Sequence, residues 1–103
     1  MEVIEDVSNI RDLEEFGDAF FEYDPYDYDE CELEHDIQRF ILSAHDLGYI
    51  VAYNEDDNSP YSVCYRGNPP EDDSTIVLQD GEEWYWEISA SEYERVFENM
   101  TKF

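Results

Sequence analysis

The 103-residue chain carries 29 Asp and Glu against five Lys and Arg, a formal net charge of −24, and 17% of its residues are aromatic. This charge excludes direct binding to DNA, RNA or an anionic membrane surface, since polyanions repel one another. Disordered chains combine high net charge with few aromatic residues, so the aromatic content predicts a folded protein. The length predicts a single acidic domain over residues 1–103.

The first predicted helix spans residues 9–23. Ser8 is the expected N-cap, because apolar residues recur at helical spacing directly after it. Pro25 ends this helix, since proline cannot continue a helical hydrogen-bond ladder. Residues 24–29 then form an acidic, tyrosine-rich junction.

A second helix is predicted over residues 30–47, with Asp29 as N-cap, Glu32 as its capping-box partner and Gly48 as the C-terminal stop. Carboxylates in the first turns of a helix lie at the positive end of its dipole, where they are tolerated. Helix-start chemistry therefore explains some of the acidic residues in the run at 21–36. It does not explain why that run contains no Lys or Arg.

The second half of the chain predicts four strands, from short runs rich in β-branched and aromatic residues. They cover residues 49–53, 61–65, 75–79 and 82–88. A third helix is predicted over 90–100, after the capping-box sequence Ser89 to Glu92. The pattern indicates an α+β fold with two N-terminal helices, a small antiparallel sheet of about four strands and a C-terminal helix.

The positions of apolar residues predict the register of the last hairpin. A three-residue loop over 79–81 pairs Ile76 with Trp84 and places Gly81 at a left-handed bulge position. Because side chains alternate between the faces of a strand, this register predicts a shared apolar face. Its members are Ile76, Leu78, Trp84, Trp86 and Ile88.

The sequence contains no pattern typical of catalysis, a cofactor or a metal site. Carboxylates occur throughout, so no pair stands out as a general acid and base. Cys31, His35, His45 and Cys64 lack the close spacing of zinc ligands, and the acidic loops lack the alternating ligands of a calcium-binding loop. We therefore expect no enzyme activity, no cofactor and no metal, with both cysteines reduced and at least partly buried.

The size, the charge and the spread of acidic residues over the whole chain resemble, as a class, the small DNA-mimic inhibitors of phages and mobile elements. These are antirestriction proteins, anti-CRISPR proteins and uracil-DNA glycosylase inhibitors. A compact chain of this length is roughly 33 Å across, and duplex DNA of that length carries roughly 19 phosphates. The resemblance rests on charge and size, includes no sequence motif, and implies no particular fold.

This resemblance implies an inhibitor that occupies the nucleic-acid-binding surface of a basic host defence or DNA-processing protein, most typically a restriction or CRISPR effector. It would act as a monomer or homodimer. The acidic N-terminal sequence is unlike a signal peptide, and no stretch approaches the ~18 apolar residues that a membrane span needs. The expected location is the cytoplasm, that of the host cell if the protein is phage-encoded.

Under this interpretation, the carboxylates that folding explains least are the candidates for phosphate mimicry. They lie in both predicted N-terminal helices, in their junction, in two loops and on the last strand. The candidates are Glu15, Asp18, Glu22, Asp24, Asp27, Asp29, Glu32, Glu34, Asp36, Glu55, Asp56, Asp57, Glu71, Asp72, Asp73, Glu83 and Glu87.

Two other classes remain compatible with the sequence. An immunity protein or antitoxin that neutralises a basic nuclease would use the same electrostatics with a different partner. A halophilic acidic domain would carry its charge for solubility alone, and a single lysine, Lys102, suits that class. The abundance of aromatic residues does not.

Thermal unfolding at different salt concentrations distinguishes the mimic from the halophilic domain. Salt screens self-repulsion, so a halophilic domain needs molar salt to fold, whereas a mimic must be folded where its partner works. We expect a cooperative melt by circular dichroism at 0.15 M NaCl. A chain that is unfolded at 0.15 M and folds only in molar salt would contradict the mimic.

Overall fold

The structure, a computed structural model, describes residues 2–21, 24, 26–53, 61–67 and 75–103, with the backbone alone over 75–80. Five strands and three α-helices occur in this part of the chain. They are β1 Glu2–Ile4, α1 Leu13–Phe20, α2 Glu30–Asp46, β2 Ile50–Tyr53, β3 Ser62–Arg66, β4 Thr75–Asp80, β5 Glu83–Glu87 and α3 Ala90–Asn99. Single 3-10 turns at Val7–Asn9 and Met100–Lys102 precede α1 and follow α3.

The strands form one antiparallel sheet in the order β1-β2-β3-β5-β4. The predicted α+β class is therefore confirmed, but the chain begins with a strand and the sheet has a fifth member. β1 pairs with β2 through Glu2 and Tyr53, Val3 and Ala52, and Ile4 and Val51. A strand of three residues is too short to show a sequence pattern, and its pairing partner lies some 50 residues away along the chain. For both reasons the sequence did not predict β1.

The first helix begins later than predicted. Its N-cap is Asp12, whose side chain accepts a hydrogen bond from the Glu15 amide at 3.1 Å. The predicted cap, Ser8, instead lies in the 3-10 turn that Asp6 caps. α1 ends at Phe20, so the predicted range 9–23 was too long at both ends among the described residues.

The second and third helices match their predicted positions closely. The Asp29 side chain accepts a hydrogen bond from the Cys31 amide at 3.0 Å, as an N-cap does, although Glu32 does not complete a capping box. At the start of α3, Ser89 and Glu92 form both bonds of the predicted capping box. Gly48 ends α2 with a φ of 86°, a conformation that favours glycine.

The predicted register of the last hairpin was wrong. Asp80 pairs with Glu83, so the loop contains the two residues Gly81 and Glu82. An irregularity between Ile76 and Leu78 then shifts the pairing by one residue, and Ile76 lies opposite Trp86 rather than Trp84. Leu78 pairs with Tyr85, on the face opposite to the tryptophans, so the five residues do not share one face.

An aromatic cluster joins the three helices to one face of the sheet. Phe40 of α2 is fully buried. Its ring centroid lies 4.6–6.0 Å from the centroids of four other phenylalanine rings, which belong to α1, to the residue that follows α1 and to α3. The four are Phe16, Phe20, Phe21 and Phe97. On the opposite face of the sheet, Ala52, Cys64 and Tyr85 form a smaller buried cluster.

Polar contacts fix α3 against α2 at the edge of this core. The buried Ser43 hydroxyl donates to the Val96 carbonyl, and the Asn99 amide donates to the Ser43 carbonyl at 3.3 Å and to Asp46 at 3.0 Å. These bonds satisfy polar groups that would otherwise be buried without partners. They hold the two helices in a single arrangement.

Replacing Phe40 should be the most damaging core change. We expect Phe40→Ala to lower the free energy of unfolding by about 3–5 kcal/mol, because the cavity removes contacts with four rings. Leu42→Ala, two residues along α2 at a site 38% exposed, should change it by less than about 0.5 kcal/mol. Urea denaturation at 25 °C measures both, and similar losses for the two variants would contradict this packing.

Candidate protein-binding surface

The acidic side chains lie at the surface. Exposure is described for 21 of them, of which 18 are exposed and three, Glu2, Asp36 and Glu92, are partly buried. The chain thus keeps its negative charge in water, where the cost of desolvating a carboxylate is avoided. Carboxylates occur on all three α-helices and on β1, β4 and β5, but not on β2 or β3.

Four of the five basic side chains are already paired with the chain's own carboxylates. Arg11 binds Glu15 at 2.9 Å, and Lys102 binds Asp46 at 3.4 Å. Arg39 forms an ion pair with Asp36, and Arg66 forms one with Glu83. Three predicted site residues, Glu15, Asp36 and Glu83, therefore have an internal counter-charge.

Two of these paired carboxylates have shifted pKa values. Hydrogen bonds from Arg66 and then Tyr85 lower the pKa of Glu83 below its ordinary value. Hydrogen bonds from Asn99 and then Lys102 lower the pKa of Asp46 in the same way. In both cases the ionised form is stabilised by groups of the protein itself, so less is gained when a partner's cation arrives.

Two more predicted residues have roles in the backbone geometry of the junction. The Asp24 side chain accepts a hydrogen bond from the Tyr26 amide at 2.9 Å, and Asp29 caps α2. Asp and Asn side chains commonly stabilise turns and helix starts in this way. Folding therefore explains part of the acidic charge in the junction. The Asp27 amide donates to the Asp24 carbonyl at 3.1 Å, but the Asp27 side chain has no hydrogen bond or ion pair among the described residues.

Rows of exposed carboxylates without a hydrogen bond or ion pair among the described residues lie on α1 and α2, and a similar pair, Glu94 and Glu98, lies on α3. On α1, Glu14 and Asp18 are four residues apart, and on α2, Glu30 and Glu34 have the same spacing. Side chains at this spacing lie on one side of a helix with Cβ atoms about 5–6 Å apart, and like charges there are destabilising. The two rows approach each other, since Glu14 and Glu30 both line a concavity of about 410 Å³ between the helices. We call Glu14, Asp18, Glu30 and Glu34 the paired acidic rows.

Asp18 and Glu34 were predicted from the sequence, but Glu14 and Glu30 were not. The signal was present, because the i, i+4 spacing of each pair can be read from the sequence once the helices are assigned. Glu32, which was predicted, lies 200° around α2 from both Glu30 and Glu34 at ~100° per residue, and so points to a different side. The structure therefore splits the predicted α2 carboxylates into two groups.

The remaining predicted residues are separated from the rows or undescribed. Glu87 is exposed at the end of β5, near the hydroxyl of Tyr93. Burial raises the pKa of that hydroxyl to about 12, and the charge of Glu87 adds to the shift. Seven residues lie outside the described residues: Glu22, Glu55, Asp56, Asp57, Glu71, Asp72 and Asp73.

The described residues give little indication of a metal site or of a reactive cysteine. Among them, no group of three His, Cys, Asp or Glu could hold a metal ion. Cys64 is buried, as expected, and burial raises the pKa of its thiol to about 12, but Cys31 is exposed, contrary to the expectation. Within the same ranges, no helix is long and apolar enough to cross a membrane.

Comparisons with protein-family models, with curated proteins and with solved structures find no match to this chain. The function must therefore be argued from the charge and shape of the surface.

Two charge reversals test which carboxylates folding requires. Asp18 lies in the last turn of α1, at the negative end of the helix dipole, so Asp18→Lys should stabilise the protein by about 0.3–1 kcal/mol. Asp29→Lys makes the same change in net charge but removes the α2 cap, and should destabilise it by about 1 kcal/mol. Urea denaturation compares the two. Shifts of the same sign would mean that net charge, not local geometry, controls stability.

Proposed function

We propose that this protein is a DNA mimic, an inhibitor that occupies the nucleic-acid-binding surface of a basic host defence or DNA-processing protein. A restriction or CRISPR effector is the partner that this class of inhibitor suggests. The observation that carries the proposal is the match between its charge and that of DNA. The longest extent of the protein is 41 Å and its net charge is −24, while duplex DNA of that length carries roughly 24 phosphate charges.

The paired acidic rows add support to this proposal that does not depend on total charge. Each row places like charges one helical turn apart without an ion pair, and this lowers the stability of the free protein. Arg11 also lines the concavity between the rows, but its guanidinium binds Glu15. A basic partner would remove that cost by supplying Lys and Arg side chains. The arrangement is therefore better suited to a complex than to the protein alone.

The test begins with capture of the partner from an extract of the host cell on immobilised protein at 0.15 M NaCl. We expect a basic nucleic-acid-binding protein that a DNA duplex releases in competition. Affinity should fall about 10³-fold between 50 and 200 mM salt if six contacts form, since each contact releases counterions. Failure of DNA to compete, or affinity that does not depend on salt, would rule out mimicry.

A matched pair of variants then locates the surface. Asp18→Lys/Glu34→Lys changes one residue in each acidic row and should abolish capture. Glu94→Lys/Glu98→Lys makes the same change in net charge on α3, where Arg95 already lies between the two positions, and should retain most of the affinity. Equal losses in the two variants would mean that the paired acidic rows are not the binding surface.

A further inference from the structure

The two tryptophans of the chain form a stacked pair on β5, in which Trp84 is exposed and Trp86 is partly buried. Trp84 and Trp86 lie on the same face of the sheet, with ring centroids 6.2 Å apart and an angle of 21° between the ring planes. Trp84 is 40% exposed, although tryptophan is highly buried on average. We call Trp84 and Trp86 the tryptophan pair.

The tryptophan pair is the outer end of an aromatic row that crosses the sheet. Trp86 lies opposite Tyr65 of β3, and the Tyr65 ring contacts that of Tyr49 edge-on at 5.2 Å. Tyr49 is buried, and its hydroxyl donates to Glu92 of α3 at 2.9 Å. The inner end of the row is therefore fixed by the core, which keeps the outer rings in place before any partner binds.

No cation of the described chain lies over the tryptophan pair. The cation–π contacts among the described residues are those of Arg11, whose guanidinium lies 4.7 Å from the Tyr53 ring centroid and 5.4 Å from that of Tyr61. Arg66 lies opposite Tyr85, the residue between the two tryptophans, and so belongs to the other face of the sheet, where it binds Glu83. The accessible part of Trp84 is thus available to a cation from another molecule.

The surroundings favour a cationic side chain as the occupant. Glu82, in the adjoining hairpin turn, is exposed and has no hydrogen bond or ion pair in the described chain, and the net charge of −24 repels anions. Indole is the ring that binds cations best, and arginine, which is planar and weakly hydrated, stacks on aromatic faces more readily than lysine does. Charge complementarity and the chemistry of the indole ring therefore both favour an arginine side chain.

We propose that the tryptophan pair binds an arginine side chain of the basic partner protein. This inference rests on the proposed function and specifies the chemistry of the partner: an arginine-rich surface, of which one side chain stacks on Trp84. The carboxylates supply attraction over a long range, and the tryptophan pair distinguishes arginine from lysine at contact.

Peptides of nine arginines and nine lysines carry equal charge and test this proposal without the partner. Calorimetry at 0.15 M NaCl gives both dissociation constants, and the readout is the ratio between them. Carboxylates also favour arginine, so the expected result is a change in that ratio: Trp84→Leu should reduce it about two- to fivefold. Leu42→Ala, a control at an apolar site of similar exposure, should leave it unchanged.

Each other outcome has a separate meaning. If both peptides bind in a salt-dependent manner and Trp84→Leu leaves the ratio unchanged, the arginine site is wrong and the proposed function stands. If neither peptide binds at 0.15 M NaCl, the proposed function itself fails. Should Trp84→Leu not fold by circular dichroism, Trp84→Phe replaces it, and an unchanged ratio in that variant together with unchanged fluorescence of Trp86 on binding overturns the arginine site.

Discussion

Repulsion among 29 carboxylates is the constraint under which every element of this protein forms. The core offsets it with aromatic rings, which bury more apolar surface for each residue than aliphatic side chains do. Tyrosine contributes in a second way, because its hydroxyl can bond a carboxylate while its ring packs in the core. Tyr49 donates to Glu92, Tyr53 to Glu2 and Tyr85 to Glu83 in this manner. The aromatic residues therefore offset part of the repulsion that the acidic residues cause.

The few basic residues are used locally. Among the described residues, Arg11, Arg39, Arg66 and Lys102 each bind a carboxylate, and a surface ion pair contributes at most about 1 kcal/mol. These pairs cannot offset the repulsion over the whole surface. They reduce it at four places, and the paired acidic rows, Glu14 with Asp18 and Glu30 with Glu34, are not among them. Carboxylates left without an ion pair are available to a cationic partner.

Charge and aromatic rings would have different tasks in a complex. A field of many carboxylates steers a basic protein from a distance and accelerates association, but it discriminates poorly between one cation and another. Rigid aromatic side chains act only at contact and are typical anchors of protein interfaces. A domain that used its charge for solubility alone would have no need of an exposed tryptophan such as Trp84 among its carboxylates. The combination supports an interaction protein over the halophilic alternative.

The sequence by itself determined those features whose signals are local. The helices α2 and α3 were predictable because their caps, Asp29 and Ser89, lie within a few residues of the groups they bond, and net charge follows from composition alone. The start of α1 was not predictable, because Ser8 and Asp12 are equally good N-caps by residue type. The choice between them is coupled to distant contacts, such as the hydrogen bond from the Arg11 amide to the Tyr61 hydroxyl.

Tertiary structure alone decided the fifth strand, the hairpin register and which carboxylates remain without a partner. β1 exists because β2 pairs with it, and the irregularity between Ile76 and Leu78 shifts a register that the spacing of apolar residues could not specify. Glu83 and Asp46 receive their cations from residues 17 and 56 positions away, Arg66 and Lys102. A sequence shows how many charges a chain carries, but only folding decides which of them meet, because Coulomb attraction depends on distance in space rather than along the chain.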